Sequence, residues 1–315
     1  MHSFTMVFIR VKKVKGFDYY YLVKSQWDSR RKISTQQTIK YLGKASDVNI
    51  ENIPSEYQDD PKILSLLSSV TKAQESNIQI VKELREHVFE SLKTGDIENI
   101  IKVAEEFKEN RSLSAFYESI LKPIMYEIGN LWQNKALDIG TEHVCSNMAN
   151  KTIHKLTNLT KQRNNSEPII ICTPDGELHN IACNMLESVL LEKGYNVINI
   201  SPSIPTESVI AQMRELNPLL VLLSVTLHDN IGSTLRLISR LTSIFQTPIL
   251  LGGSAIDNCS DKERRNLELT SPKVTVIANS TLESIVKTIR TILRNTQTTN
   301  SHDQSQRVNK LMNIN

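Results

Sequence analysis

The order of elements predicts an α/β protein: a doubly wound parallel sheet preceded by a four-helix bundle and a small N-terminal β-meander. Three observations carry this. From Pro168 onward, short apolar runs alternate with helical stretches, the pattern of a parallel sheet covered on both faces. Between about Pro61 and Lys161 the period is helical throughout, with short breaks that specify antiparallel neighbours. Before that, residues 6–42 read with a period of two.

In the meander, Val7, Ile9 and Val11 alternate with Phe8, Arg10 and Lys12, a second run covers Tyr19 to Val23, and a third lies around Ile39 to Leu42. Lys15-Gly16-Phe17-Asp18 and Asp28-Ser29-Arg30-Arg31 read as the turns between them. Residues 1–44 hold ten Lys and Arg against two Asp, and the rest holds 27 against 32 acidic residues, so the net charge of +3 conceals a strongly basic end. Residues 45–76 read as a linker, rich in Ser, Asp, Asn and Pro, with a lead-in helix.

The bundle occupies residues 77–163, with Gly95-Asp96, Arg111-Ser112 and Asn134 to Asp138 as the breaks between its four helices. The α/β domain occupies 166–294. Its strands are Ile169 to Cys172, Asn196 to Ile200, Leu219 to Val225, Pro248 to Leu251 and Val274 to Ala278. The helices between them cover residues 178–193, 206–216 and 231–245, and a last one runs to about Arg294. Residues 295–315, rich in Thr, Asn, Ser and Gln, read as a disordered tail.

Composition narrows the function classes. With 39% hydrophobic and 23% charged residues and no apolar run of about 18 residues, a membrane span is not expected. No secretory signal is seen at the start, so a cytoplasmic location is expected. Cys145, Cys172, Cys183 and Cys259 form no Cys-x-x-Cys pair, which argues against structural zinc and a disulfide framework. The absence of Gly-x-Gly-x-x-Gly and of a Lys-bearing phosphate loop argues against a nucleotide or flavin site. A receiver domain would need an Asp ending the third strand, where this chain has Ser224.

In an open parallel sheet, ligands gather at the carboxyl ends of the strands. Three such ends have distinctive content: Thr173-Pro174-Asp175-Gly176-Glu177-Leu178-His179-Asn180, Ser224-Val225-Thr226-Leu227-His228 and Gly252-Gly253-Ser254-Ala255. A His two residues from a carboxylate can present one ring nitrogen to a metal while an acceptor holds the other. Paired glycines remove side chains where a flat group must lie against the backbone.

Glu177-x-His179-x-x-Ala182, Ser224-x-Thr226 and Gly252-Gly253 together resemble the hallmark of the cobalamin-binding family, Asp/Glu-x-His-x-x-Gly, Ser-x-Leu or Ser-x-Thr, and Gly-Gly, on a flavodoxin-like fold. The resemblance implies that His179 is the metal ligand, coordinating cobalt in place of the cofactor's own base. It further implies that Glu177 orients the imidazole, that Leu178 lies within the motif, and that the nucleotide tail lies beside Ser224, Thr226, Gly252 and Gly253. Ala182 stands where the motif has Gly, and His228 where relatives more often have a smaller hydroxyl residue.

The bundle adds to this. Residues 121–148 resemble the helical cap of corrinoid proteins, and Trp132 followed by nine residues and Glu142-His143 is similar to the Trp-x9-Glu-His signature of adenosylcobalamin photoreceptors, although Gln133 replaces a His found there. At 100° per residue Glu142 falls about 60° from the packed face centred on Cys145, Ala149, Thr152 and Leu156, and His143 nearly opposite it. Trp132, Ile139, Glu142 and His143 are therefore candidate cofactor residues on the cap side. The expected cofactor is cobalamin, in its adenosyl form over its methyl form.

The N-terminal unit is similar to the basic, β-rich starts of some insertion-sequence transposases (Phe8-Ile9-Arg10, Tyr19-Tyr20-Tyr21-Leu22-Val23, Ile39-Lys40-Tyr41-Leu42-Gly43). Interleaved cations and aromatics suit nucleic acid. The expected function is a cobalamin-binding sensor or regulator and not an enzyme, with nucleic acid (through residues 1–44) and a second copy of the chain as partners and no membrane. The alternative is a corrinoid carrier of a methyltransferase system.

Overall fold

The computed structural model describes residues 5–14, 17–28, 33–159 and 167–295. The turn residues 15, 16 and 29–32, the segment 160–166 that holds the expected boundary between bundle and sheet, and all of the expected tail 295–315 except Asn295, which is helical, lie outside the described residues. The chain forms two compact units, residues 1–83 and 84–315.

The first unit contains a meander of β1 (Thr5–Val14), β2 (Phe17–Asp28) and β3 (Ile33–Lys44), antiparallel and adjacent in chain order. Its strands are longer than the apolar runs alone indicate, because Lys and Gln positions continue the ladder. Alternation places Ile9, Tyr20 and Leu22 on one face, where they are buried with Ile53, Ile63 and Leu67. Residues 45–57, read as linker from their composition, form three short 3-10 turns. They belong to the unit because Ile53 fills its core while Ala45, Val48 and Tyr57 pack around it.

Helix α1 (Pro61–Thr94) is continuous where the sequence suggests a lead-in followed by a first bundle helix. It ends at Gly95, whose φ of +77° suits glycine. Helix α2 (Ile97–Asn110) starts on Asp96, which accepts from the Asn99 amide. The third bundle helix is a single rod of α3 (Leu113–Phe116), a π-helical segment (Tyr117–Leu121) and α4 (Lys122–Gln133). Helix α5 (Ile139–Asn158) is capped by Asp138 and buries Cys145, Ala149, Thr152, Ile153 and Leu156, the face its period predicts.

The sheet follows: β4 (Ile169–Cys172), α6 (Ile181–Glu192), β5 (Val197–Asn199), α7 (Thr206–Leu216), β6 (Leu220–Ser224), α8 (Ile231–Ile244), β7 (Ile249–Gly252), α9 (Ser254–Asp257), α10 (Asp261–Leu269), β8 (Val274–Val276) and a last helix α11 at 282–295. Spatial order is β5-β4-β6-β7-β8, all parallel. In domain order this is 2-1-3-4-5, the flavodoxin-like arrangement, whose switch point lies between β4 and β6. Helices α9 and α10 are additions to the expected set. The second had a legible signal, since Ser260 and Glu263 form a reciprocal capping box. Among the described residues no helix is long and apolar enough to cross a membrane.

Candidate functional site

The site is built where β4 and β6 end side by side. After Cys172 the chain turns through Gly176, at φ +85°, and the Glu177 amide closes the turn on the Pro174 carbonyl. The loop after β5 locks it. Ser203 donates its amide to the Glu177 carbonyl (2.9 Å) and to Thr173 Oγ1 (2.7 Å), and its hydroxyl accepts from the Gly176 amide at 3.0 Å.

This backbone holds the Glu177 carboxylate fully buried, 0% exposed, among five donors. Its Oε1 accepts from the His179 amide (3.1 Å) and from His179 Nδ1 (2.6 Å). Its Oε2 accepts from the Thr226 and Leu227 amides (2.9 Å each) and from Asn230 Nδ2 (3.0 Å). Burial alone would push this carboxyl up, but hydrogen bonds from the His179 ring, the Leu227 amide, Asn230 and the His179 amide outweigh it and hold the pKa at about 2. Glu177 is therefore ionised, and an ionised carboxylate only accepts. The proton between the two groups accordingly sits on His179 Nδ1, which leaves Nε2 as the nitrogen that carries the lone pair when the ring is neutral. The hydrogen bond from Glu177 raises the His179 pKa, burial opposes it, and the charges of Glu177 and Glu142 add to the rise. The imidazole is 54% exposed.

Glu142 thus acts electrostatically on His179 from the cap. Its Oε1 accepts from Ser146 Oγ (2.6 Å) and its Oε2 pairs with His143 Nδ1 (2.6 Å), with the His143 ring mostly exposed. Trp132 lies in the last turn of α4 and Ile139 opens α5, and both are exposed, as are Leu178 and Leu227 on the sheet side. Large apolar side chains are thus open to solvent on both the helical and the sheet side of the Glu142–His179 pair.

Ser224 ends β6 and, with Ser201, hydrogen bonds to the buried Cys183 thiol. Burial pushes that thiol up to about 11, with both hydroxyls acting to lower it. Thr226 contributes its backbone amide to Glu177. At the glycine pair the close neighbours are protein. A Cβ on Gly253, at φ +115°, would stand 2.3 Å from the Val225 carbonyl oxygen, and one on Gly252 would stand 3.2 Å from Ile277 Cγ1. Ala182 is exposed on the first turn of α6. His228 turns away to Glu263 (3.1 Å), and with Cys259 these donors lie within 4.8 Å of one another. Glu263 is already engaged there as the cap of α10.

Several participants were not singled out in the sequence: Asn230, the Leu227 amide, Thr173, Ser203, and a chain of asparagines. In that chain Asn150 of α5 donates to Asn180 (3.4 Å), Asn184 of α6 donates to Asn150 (2.9 Å), and Asn199 of β5 donates to Asn184 (2.9 Å). Asn184 carried a signal, since it falls within the buried stripe of α6 with Ser188 and Leu191, where an amide must find a partner.

Two family models, each described as a B12 binding domain, match residues 84–157 and 167–268, which correspond to the helical cap and to most of the sheet domain. Among solved structures, the monomethylamine corrinoid protein of Methanosarcina barkeri is similar at 13% identity and a TM-score of 0.52, over 66% of this chain and 97% of that one, which is a likeness of fold. A cobalamin-binding protein from Desulfitobacterium hafniense DCB-2 aligns at 16% identity and a TM-score of 0.34, over 65% of this chain and 96% of that one. The methanol:cobalamin methyltransferase complex MtaBC of Methanosarcina barkeri aligns at 13% and 0.35, over 67% and 80%. A comparison with curated proteins finds no match. Through residues 84–157 and 167–268, more than half of its length, the chain belongs to the family of cobalamin-binding proteins built from B12 binding domains.

Proposed function

We propose that this protein holds cobalamin between cap and sheet with His179 Nε2 as the lower ligand to cobalt, and that it serves as a sensor or regulator responding to the adenosyl form. The observation that carries the reading is the Glu177–His179 pair: a buried, ionised carboxylate fixes Nδ1–H at 2.6 Å, so the imidazole is oriented and its remaining nitrogen is a good donor to a transition metal. The donor set fits the group. When bound, cobalamin supplies a cobalt centre whose upper ligand can be exchanged. Ser224, Thr226, Gly252 and Gly253 would border the nucleotide tail, with Leu178 beside the lower ligand.

On the cap, Trp132 and Ile139 would cover the upper ligand, with His143 beside them, and Glu142 would accept hydrogen bonds from ribose hydroxyls, which a methyl ligand lacks. Each such bond to a charged acceptor contributes about 1.5–3 kcal/mol when water is excluded, enough for at least about a tenfold preference. The test is a titration of the full chain with adenosyl-, methyl- and hydroxocobalamin followed by absorption. A base-off, histidine-ligated spectrum is expected, and His179→Ala should change it and weaken binding; an unchanged spectrum removes His179 from the site. Glu142→Gln should weaken adenosylcobalamin at least tenfold more than methylcobalamin. Equal affinities that this substitution leaves alone would put a methyl-carrying role in place of the sensor.

A further inference from the structure

The first unit buries one face of its sheet in its core; on the other face Val23 is buried, while Arg10, Lys12 and Tyr41 are exposed and Tyr19 and Tyr21 half-buried. Cross-strand register decides which residues share that second face: Arg10 lies opposite Tyr21, Lys12 opposite Tyr19, and Tyr21 opposite Tyr41. The three tyrosines form a continuous aromatic group, with Tyr21 and Tyr41 centroids 5.0 Å apart and Tyr19 and Tyr41 6.5 Å apart. Tyr41 is 53% exposed. Beside them runs a groove of about 300 Å³ bordered by Arg10, Val11, Lys12, Tyr21, Val23 and Thr38. Arg10 donates to the neutral Gln36 Oε1 at 3.3 Å, and among the described residues it has no carboxylate partner.

Cross-strand packing accounts for tyrosines paired with one another, but not for a cation set opposite each of two of them. An open aromatic group by itself could receive a cation, yet Arg10 and Lys12 repel one. The same cations attract a polyanion, and residues 1–44 carry ten Lys and Arg against two Asp. A polyanion that also presents flat rings matches both halves of the surface. Rings are available for stacking only where bases are unpaired.

We propose that this second face of β1–β3 is a platform for single-stranded nucleic acid, with Tyr19, Tyr21 and Tyr41 stacking bases and Arg10 and Lys12 holding phosphates. This inference stands apart from the cobalamin reading, since no residue of that site takes part in it.

The experiment is fluorescence anisotropy of the full chain with a labelled oligothymidylate and with a duplex of equal length, at several salt concentrations. Tighter binding of the single strand is expected. Tyr41→Ala should weaken it about tenfold without changing the salt dependence, and Tyr41→Phe should retain it. Arg10→Ala should lower the slope of log K against log salt by about 0.7, the value per phosphate contact on a single strand. Circular dichroism and melting of Tyr41→Ala establish that the strands remain paired, and Tyr41→Phe keeps the test decisive if they do not. Equal affinity for duplex and single strand with Tyr41→Ala indifferent would overturn the platform, leaving only phosphate attraction. Binding to polyglutamate or anionic vesicles, with neither oligonucleotide bound, would overturn it in favour of another polyanion. Cobalamin absorption recorded on the same samples separates failure here from failure of the corrinoid site.

Discussion

Glu177 is the residue on which the arrangement at the sheet edge depends. Its carboxyl lies at about 2 against an ordinary 4.5, a difference worth about 3 kcal/mol of stability. Because the folded value is the lower one, that stability is present above pH 4.5 and is lost as the pH falls toward 2. Replacement by Gln removes the charge and leaves one acceptor oxygen for two donor groups: with that oxygen toward Thr226, Leu227 and Asn230, its NH₂ meets the His179 amide, donor against donor. Urea denaturation of the ligand-free chain at neutral pH should then show Glu177→Gln less stable by about 3 kcal/mol, the gap closing as the pH falls from 4.5 toward 2. A gap that stays constant across that window would mean that Glu177 is not charged in the fold. The spacing Glu177-x-His179 made this residue and its ring partner legible in the chain. Its other partners were not, because the Thr226 and Leu227 amides come from 49 and 50 positions away.

At the scale of elements, the ends of β6 and β7 are joined so closely that one position tolerates no side chain. Val225 donates to the Gly252 carbonyl at 3.0 Å, and Ala255 donates back to the Val225 carbonyl at 3.1 Å, drawing the Gly253 backbone against Val225. Gly253→Ala would place its Cβ 2.3 Å from that carbonyl oxygen at φ +115°, and backbone cannot rotate aside as a side chain can. A loss of at least about 3 kcal/mol is expected. Gly252→Ala meets the Ile277 side chain at 3.2 Å, a contact that can give way, and should cost about 1 kcal/mol. Thermal melting of the two variants compares them directly; equal losses would mean that the strand ends are not joined in this way. The sequence reading explained both glycines by a ligand's approach. The packing of β6 against β7 supplies a reason that holds with or without a ligand.

Across the whole of residues 84–315, cap and sheet are joined by polar groups as well as by packing. The asparagine chain from Asn150 through Asn184 to Asn199 crosses from α5 through α6 to the edge strand β5. Nearby, Tyr117 in the π-helical segment donates to Ser188 Oγ at 3.0 Å from a fully buried ring. Asn184→Leu would strip both neighbours of a partner inside the structure, at a cost of about 1–3 kcal/mol. Hydrogen exchange in α5 should accelerate more than in the central strands β4 and β6. A uniform acceleration in all three would assign Asn184 to general stability and not to holding the cap.

By itself the sequence determined the class of fold, the succession of strands and of most helices along the chain, and the residues that carry the family likeness. These rest on periodicity and spacing, which are local: Ile169 to Cys172 is a strand because it is a short apolar run, and α5 buries Cys145, Ala149 and Thr152 because they recur at helical intervals. Only the tertiary structure decided that β4 lies between β5 and β6, which brings two amides from the far side of the switch point onto Glu177. It likewise decided that Gly253 faces backbone, and that Arg10 and Lys12 share a face with three tyrosines. Strand order, register and the pairing of buried polar groups depend on contacts between distant positions, and no local pattern in a single chain encodes which distant partner each group will meet.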